Sequence, residues 1–124
     1  MRLQANIDFS LTDLTEKQAT AEMPLTNGIR NPFGVASGGA ILWFAEVTAT
    51  VLVFGRRDFS EGLTGFPVAV SLNANFLGNQ PDGVLRAVST FVKKGKTISV
   101  VRTVVTGSEG KLVADVTTTH TLPR

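Results

Sequence analysis

Between Gly38 and Phe54 the chain carries a single charge, Glu46. The other positions are Gly, Ala, Ile, Leu, Val, Trp, Phe and Thr, with no polar face at helical spacing. A membrane-spanning helix needs ~20 apolar residues and rarely holds an acid at its centre. The run therefore reads as a buried helix of a soluble domain, not as a membrane segment. A helix that is apolar on every side must be enclosed nearly all round, so the rest of the chain has to supply a surface that wraps it.

The sequence beyond the run offers such a surface. From residue 66 onward the period is two, and Phe66, Val68, Val70, Leu72, Ala74 and Phe76 are expected to share one face. Residues 78–83 read as a turn. Val84, Arg86, Val88, Thr90 and Val92 then alternate with Leu85, Ala87, Ser89 and Phe91. Lys94-Gly95 turns the chain again, residues 97–105 are mostly β-branched, 107–110 make a third turn, and 111–122 form the last strand. Four strands joined by short turns predict an antiparallel meander. Ahead of the helix, Ala19, Ala21, Met23 and Leu25 alternate within a first strand over 18–26, residues 11–17 read as a helical turn, and residues 27–34 carry loop chemistry. If the first strand joins the others, a curved antiparallel sheet of five to six strands wraps one long helix, an α+β fold.

With 124 residues the chain is expected to be one domain, 1–124, large enough to build a core without staples. A hydrophobic content of 43% excludes a disordered chain. There is no cysteine, which removes disulfides, thiolate metal sites and a cysteine nucleophile. The formal charge of +2 argues against a nucleic-acid partner, which needs cations concentrated on one face. The start of the chain lacks the apolar run of a signal peptide, so a cytoplasmic location is expected. His120 is the only histidine. It falls in the last strand, expected near the sheet edge, and no second histidine or carboxylate cluster accompanies it to build a zinc site. No phosphate loop, dinucleotide glycine pattern or nucleophile elbow is present.

Chemistry-bearing residues concentrate around the helix. Glu46, an acid in an apolar run, must be paired, protonated or exposed at a cleft. Desolvation suits it to general-base work, and an arginine partner across an interface is the alternative. Thr50 lies one turn on, on the same helical face, where its hydroxyl can hold the carboxylate or a water. Ser37-Gly38-Gly39 opens the helix. Ser37 is an ordinary N-cap; the free N–H groups behind it also suit an anion or a developing oxyanion, and glycine lets a ligand approach the backbone. Both readings are open. Glu46 is about two and a half turns from Ser37, more than ~10 Å, so a site using both calls for two subunits. Asn31, in the preceding loop, either donates its amide to a carbonyl or folds its own turn. Lys93, Lys94 and Lys96 around Gly95, with Arg56 and Arg57 after the helix, are either solvated cations or contacts for phosphates.

The stretch Asn31-Pro-Phe-Gly34-Val-Ala-Ser37-Gly38-Gly39-Ala40, followed by Glu46, resembles the signature of hotdog-fold acyl-CoA thioesterases, nearest the phenylacetate-pathway and 4-hydroxybenzoyl-CoA type. That signature reads Asn or Gln, five residues, His-Gly-Gly, then an acid nine residues after the His. Asn31, Gly34, Gly38, Gly39 and Glu46 fall on it, and Thr50 matches a hydroxyl often found one turn after the acid. Gly95-Lys96 and the segment from Gly110 to Ala114 follow the same family, so the likeness spans roughly residues 18–122. Ser37 departs from it, standing where the family has histidine. The resemblance implies a hotdog fold, sheet as bun and helix as sausage, in a homodimer or homotetramer with active sites at the dimer interface. It implies hydrolysis of an acyl-CoA, or of an acyl-carrier-protein thioester, without metal or redox cofactor, coenzyme A entering only as part of the substrate. Gly38 N–H would receive the oxyanion, Asn31 orient the thioester, and Glu46 of the other subunit act as nucleophile or general base, with Thr50 placing it. Ser37 and Gly39 would line the substrate site, and Lys93, Gly95, Lys96 and Arg56 would lie nearer the coenzyme A phosphates. Two rival readings remain: an acyl-CoA-binding hotdog protein without turnover, consistent with Ser37, and a hotdog dehydratase or hydratase, for which His120 is the sole available histidine.

Overall fold

The structure is a computed structural model and describes Arg2, residues 6–55 and residues 65–122. Strands β1 (Ser10–Leu14) and β2 (Gln18–Pro24) precede the helix α1 (Gly38–Phe54). Strands β3 (Val68–Phe76), β4 (Val84–Lys93), β5 (Ile98–Thr106) and β6 (Leu112–Thr121) follow it. They form one antiparallel six-stranded sheet in the order β1-β2-β4-β5-β6-β3, with α1 lying across one face. This is the hotdog arrangement that the sequence predicts.

Alternation decides which side of each strand meets the helix. Leu85, Ala87 and Ser89 of β4, Ser99, Val101, Thr103 and Val105 of β5, and Val116, Thr118 and His120 of β6 are all buried, while their neighbours Arg86, Arg102 and Thr117 are exposed. The first half of α1 packs Ala40, Ile41, Phe44 and Ala45 against Met23, Leu85, Val105, Val113 and Val116. The second half packs Ala49 and Leu52 against Ala19 and Val101. Phe44 is fully buried, a residue of the kind whose truncation to Ala costs about 3–5 kcal/mol.

Several expectations change. Residues 11–17 are not a helical turn: Leu11, Asp13 and Leu14 pair with Ala21, Thr20 and Ala19, and a bulge between Leu11 and Asp13 erases the alternation that marks a strand. The four-strand meander is also broken. β3 does not neighbour β4; it crosses to the far edge and pairs with β6, leaving β4-β5-β6 as the true meander. Nor do residues 66–76 share one face. Val68 lies opposite Thr121 but Leu72 opposite Thr118, so the bulge between Ala69 and Ser71 turns the strand over by one residue.

Two apolar surfaces stay uncovered. On α1, Leu42, Trp43, Glu46 and Val47 form a stripe that the described residues leave partly exposed, so they do not enclose the helix all round. On β3, which has no strand on its outer edge among the described residues, Val68, Val70, Leu72 and Phe76 are between 41 and 58% exposed. No helix among the described residues is long and apolar enough to cross a membrane.

Candidate active site

The start of α1 is built by the loop that precedes it. Ser37 N–H donates to Ile29 O (2.8 Å), and Arg30 and Ala36 make an isolated antiparallel bridge. Arg30 crosses the loop's base, donating from Nε to Pro81 O (2.6 Å) and from Nη2 to Leu25 O (3.1 Å). Asn31 folds the tip: its Oδ1 accepts from Phe33 N–H (2.9 Å) and Val35 N–H (3.3 Å). The local reading of Asn31 therefore holds for its oxygen, while its amide nitrogen has no partner among the described residues.

Ser37 occupies the N-cap position but does not cap. Its backbone is extended (φ −64°, ψ 135°), its carbonyl accepts from Ile41 N–H (3.1 Å), and its hydroxyl makes no bond to the helix. No acid stands in the first turn. The leading N–H groups of α1 are thus left without the side-chain acceptor that usually satisfies them. Packing does not demand the glycines here either. A methyl group added at Gly38 would touch the Phe76 ring at 3.5 Å, and one at Gly39 would lie 3.7 Å from the Ser37 hydroxyl, both ordinary contacts. Glycine in a helix costs up to about 1 kcal/mol against alanine. Two such residues, at an open helix start where no contact among the described residues needs them, leave room for an approaching group.

Glu46 sits on the uncovered stripe of α1, half-buried, and no cation pairs with it among the described residues. Thr50, itself buried, places its hydroxyl 2.9 Å from the Glu46 carbonyl oxygen and 3.2 Å from Oε1. The hydroxyl bonds back onto the helix and borders one carboxylate oxygen. Within one chain Glu46 and Gly38 stay apart by about 12 Å, at 1.5 Å rise per residue.

The profile of the thioesterase superfamily matches residues 33–114. The chain belongs to the thioesterase superfamily. The match takes in Gly38, Gly39, Glu46, Thr50 and the β4–β5 hairpin, and begins just after Asn31. A 1,4-dihydroxy-2-naphthoyl-CoA hydrolase of Listeria monocytogenes is 25% identical over 113 residues, covering 91% of this chain and 89% of that protein. A thioesterase of Haemophilus influenzae superposes with a TM-score of 0.82 at 25% identity, over 94% of this chain and 78% of the other. A hypothetical thioesterase of Streptococcus pneumoniae, crystallised with coenzyme A, shares the fold at TM-score 0.82 and 20% identity, over 94% and 86% of the two chains.

In this superfamily member the hairpin residues lie away from Gly38. Lys93, Lys94 and Lys96 are exposed near the C-terminal end of α1, with Lys94 Nζ 5.5 Å from the centre of the Phe91 ring. Gly95 has a structural reason: a side chain there would collide with the Ile98 carbonyl. A groove of about 630 Å³ runs between Leu14, Glu16, Leu52, Phe54 and Lys94, again at that end and not beside Gly38 or Glu46. Arg56 and Arg57 lie outside the described residues.

His120 is not at the sheet edge. β6 runs between β5 and β3, and the ring is fully buried on the helix side, Nε2 2.8 Å from Thr118 Oγ1 and Nδ1 without a partner among the described residues. Burial pushes its pKa down, favouring the neutral ring. No cluster of three or more His, Cys, Asp or Glu that could hold a metal ion occurs among the described residues. The opposite face of the sheet carries a bidentate pair, Arg102 to Asp115 at 3.0 and 2.7 Å, which holds the Asp115 carboxyl below its usual range.

Asn79 is the residue that sequence reasoning missed. It lies in the β3–β4 loop, yet its amide bonds both polar backbone atoms of Ala36. Asn79-Gln-Pro-Asp-Gly carries only turn signals, and a contact spanning 43 residues leaves no local trace.

Proposed function

We propose that the protein hydrolyses an acyl-CoA thioester in a site completed by a second copy of the chain. The observation that carries the reading is the uncapped start of α1, where Gly38 and Gly39 leave donors open and space before them. A thioester carbonyl seated there accepts the Gly38 N–H, and the positive end of the helix stabilises the oxyanion as it forms. Glu46 comes from the second copy, since its own lies about 12 Å away along the helix. It either takes a proton from the attacking water or attacks the carbonyl carbon itself, in which case a water then cleaves the acyl–Glu46 anhydride and restores the carboxylate. The C–S bond then breaks, the thiolate takes up a proton, and the free acid and coenzyme A leave. Thr50 borders Oε1 and leaves Oε2 for the water. The Asn31 amide nitrogen and the Ser37 hydroxyl serve the same carbonyl, beside Gly39. Lys93 and Lys96, with Gly95 shaping their hairpin and Arg56 by its place in the sequence, meet the coenzyme A phosphates.

The second copy is argued from the two uncovered surfaces. An apolar, unpaired edge strand such as β3 pairs with another strand or aggregates, and two β3 edges side by side extend the sheet across a homodimer, which can pair again into a homotetramer. The Streptococcus pneumoniae structure with coenzyme A supports the ligand class, and the Listeria relative adds a hydroxylated bicyclic aryl ester to the substrates worth offering.

Thiol release from short, medium, long and aromatic acyl-CoAs, with one acyl-carrier-protein thioester, tests the reading. Glu46→Ala is expected to lower turnover about 10²- to 10⁴-fold with an unchanged melting temperature. A folded Glu46→Ala that keeps wild-type turnover would sink the proposal. Ser37 favours the second reading, and tight acyl-CoA binding by a wild type that hydrolyses none of the esters would select it: a binding protein without turnover.

A further inference from the structure

The loop that leads into Gly38 is held from two sides, and only one of them is local. The local side is backbone, through the Arg30–Ala36 bridge and the bond from Ser37 N–H to Ile29 O. The distant side is the β3–β4 loop, which takes Arg30 Nε at Pro81 O and reaches Ala36 through Asn79. Asn79 Nδ2 donates to the Ala36 carbonyl oxygen (2.9 Å), and its Oδ1 accepts the Ala36 N–H (3.2 Å). One side-chain amide thus occupies both polar atoms of one residue, as a neighbouring strand would. Asn79 is itself fixed: Oδ1 also accepts Gln80 N–H (2.8 Å), and Lys111 Nζ donates to the Asn79 carbonyl (3.1 Å). Gln80 anchors the same loop, accepting Ser108 N–H at Oε1 (2.9 Å) and donating to Asp82 O (2.8 Å).

Ala36 is two residues before Gly38. With its peptide groups clamped, only the two backbone torsions of Ser37 lie between the clamp and the Gly38 N–H. The Ser37 side chain adds nothing of its own, since it makes no cap bond. We propose that Asn79 is a positioning residue: by gripping Ala36 it aims the Gly38 N–H at the thioester carbonyl. The catalytic consequence rests on the hydrolase reading above, whereas the clamp itself does not. The chemistry calls for an amide, one donor and one acceptor side by side. Aspartate at this position keeps an acceptor for Ala36 N–H but turns a second oxygen toward the Ala36 carbonyl. Protonated, that oxygen becomes a donor and the clamp is restored.

The experiment compares wild type, Glu46→Gln, Asn79→Ala and Asn79→Asp by thiol release across pH, and by amide hydrogen exchange at Ala36 and Ser37. Asn79→Ala is expected to lower kcat about 10- to 100-fold, since misplacing a group by about 1 Å costs about that much, with KM within about twofold. The activity of Asn79→Asp relative to wild type is expected to rise as pH falls toward the carboxyl pKa. Exchange at Ala36 and Ser37 should quicken in Asn79→Ala while the Gly55 end of the helix is unchanged. Wild-type kcat in Asn79→Ala, a loss confined to KM, or unchanged exchange overturns the proposal. If Asn79→Ala does not fold, Asn79→Asp carries the test, and a pH-independent ratio to wild type overturns it. If the wild type cleaves no ester, or Glu46→Gln loses nothing, the hydrolase reading falls. The exchange rates then decide the clamp alone: faster in the variant upholds it, unchanged removes it.

Discussion

The two ends of α1 are finished in opposite ways. At the C-terminal end Gly55 adopts the left-handed conformation (φ 74°, ψ 17°), and its N–H closes onto Val51 O at 2.8 Å. That is how a helix stops when stability alone is served. At the N-terminal end a serine stands in the capping position and does not cap, no acid answers the helix dipole, and two glycines open the first turn. Yet the loop before it carries the denser scaffold, with Arg30, Asn31 and Asn79 all spending their side chains on its backbone. The chain braces this end with side-chain hydrogen bonds while leaving its donors without a side-chain cap among the described residues. Departures from local rules that are propped up by distant residues are what a functional site looks like in a fold.

The largest effect expected from breaking this contrast is at Gly38. Proline suits the first helical position, and the extended backbone of Ser37 suits the residue before a proline. Gly38→Pro should therefore fold as well as wild type, or up to about 1 kcal/mol better. It removes one N–H, the proposed oxyanion donor, and thioester turnover should drop about 10²- to 10³-fold. Turnover unchanged in a folded Gly38→Pro would move the donor elsewhere. The mirror experiment is Gly55→Ala. A side chain in the left-handed region costs roughly 1–2 kcal/mol, so urea unfolding should show that loss while kcat stays as it was. A fall in kcat without a fall in stability would tie the two ends together and end the contrast.

The sequence carried the frame of this molecule and much less of its wiring. The helix was legible because seventeen apolar-rich positions with one charge have few alternatives, β2 and β4 because apolar and polar residues alternate along them, and β5 and β6 because β-branched runs lie between turn signals. β1 was not, since its bulge removes the period, and the position of β3 was not, since a strand that crosses to the far edge carries the same alternation as one that pairs with its successor. The Glu46–Thr50 arrangement followed from helical spacing alone. The Asn79 clamp did not: an amide 43 residues from its target looks like any other turn residue until the sheet brings the loops together. The uncovered stripe on α1 was hidden for the opposite reason, because composition shows that a helix is apolar all round but not which part of its surface the chain itself covers.

The smallest effect at neutral pH is expected from His120, where neither end of the helix is touched. The ring lies under the sheet-facing side of α1, between Ser99 of β5 and Ala69 of β3, and among the described residues Thr118 alone bonds it. Burial lowers its pKa in the folded chain, while the unfolded chain titrates near the ordinary imidazole value of about 6.5. Above that value both states hold a neutral ring and His120 adds no pH dependence. As pH falls below it the unfolded state takes up a proton that the folded state resists, so stability falls, and the loss continues until the folded ring also protonates. Urea unfolding of wild type and His120→Asn at pH 8, 7, 6 and 5.5 reads this directly. The wild type should lose stability relative to the variant only in the two acidic points. Parallel curves would mean that the ring is protonated equally in both states, and the buried, neutral His120 would have to be given up. Turnover measured per folded molecule should not follow that loss, because His120 holds the core beneath the helix and takes no part at its open end.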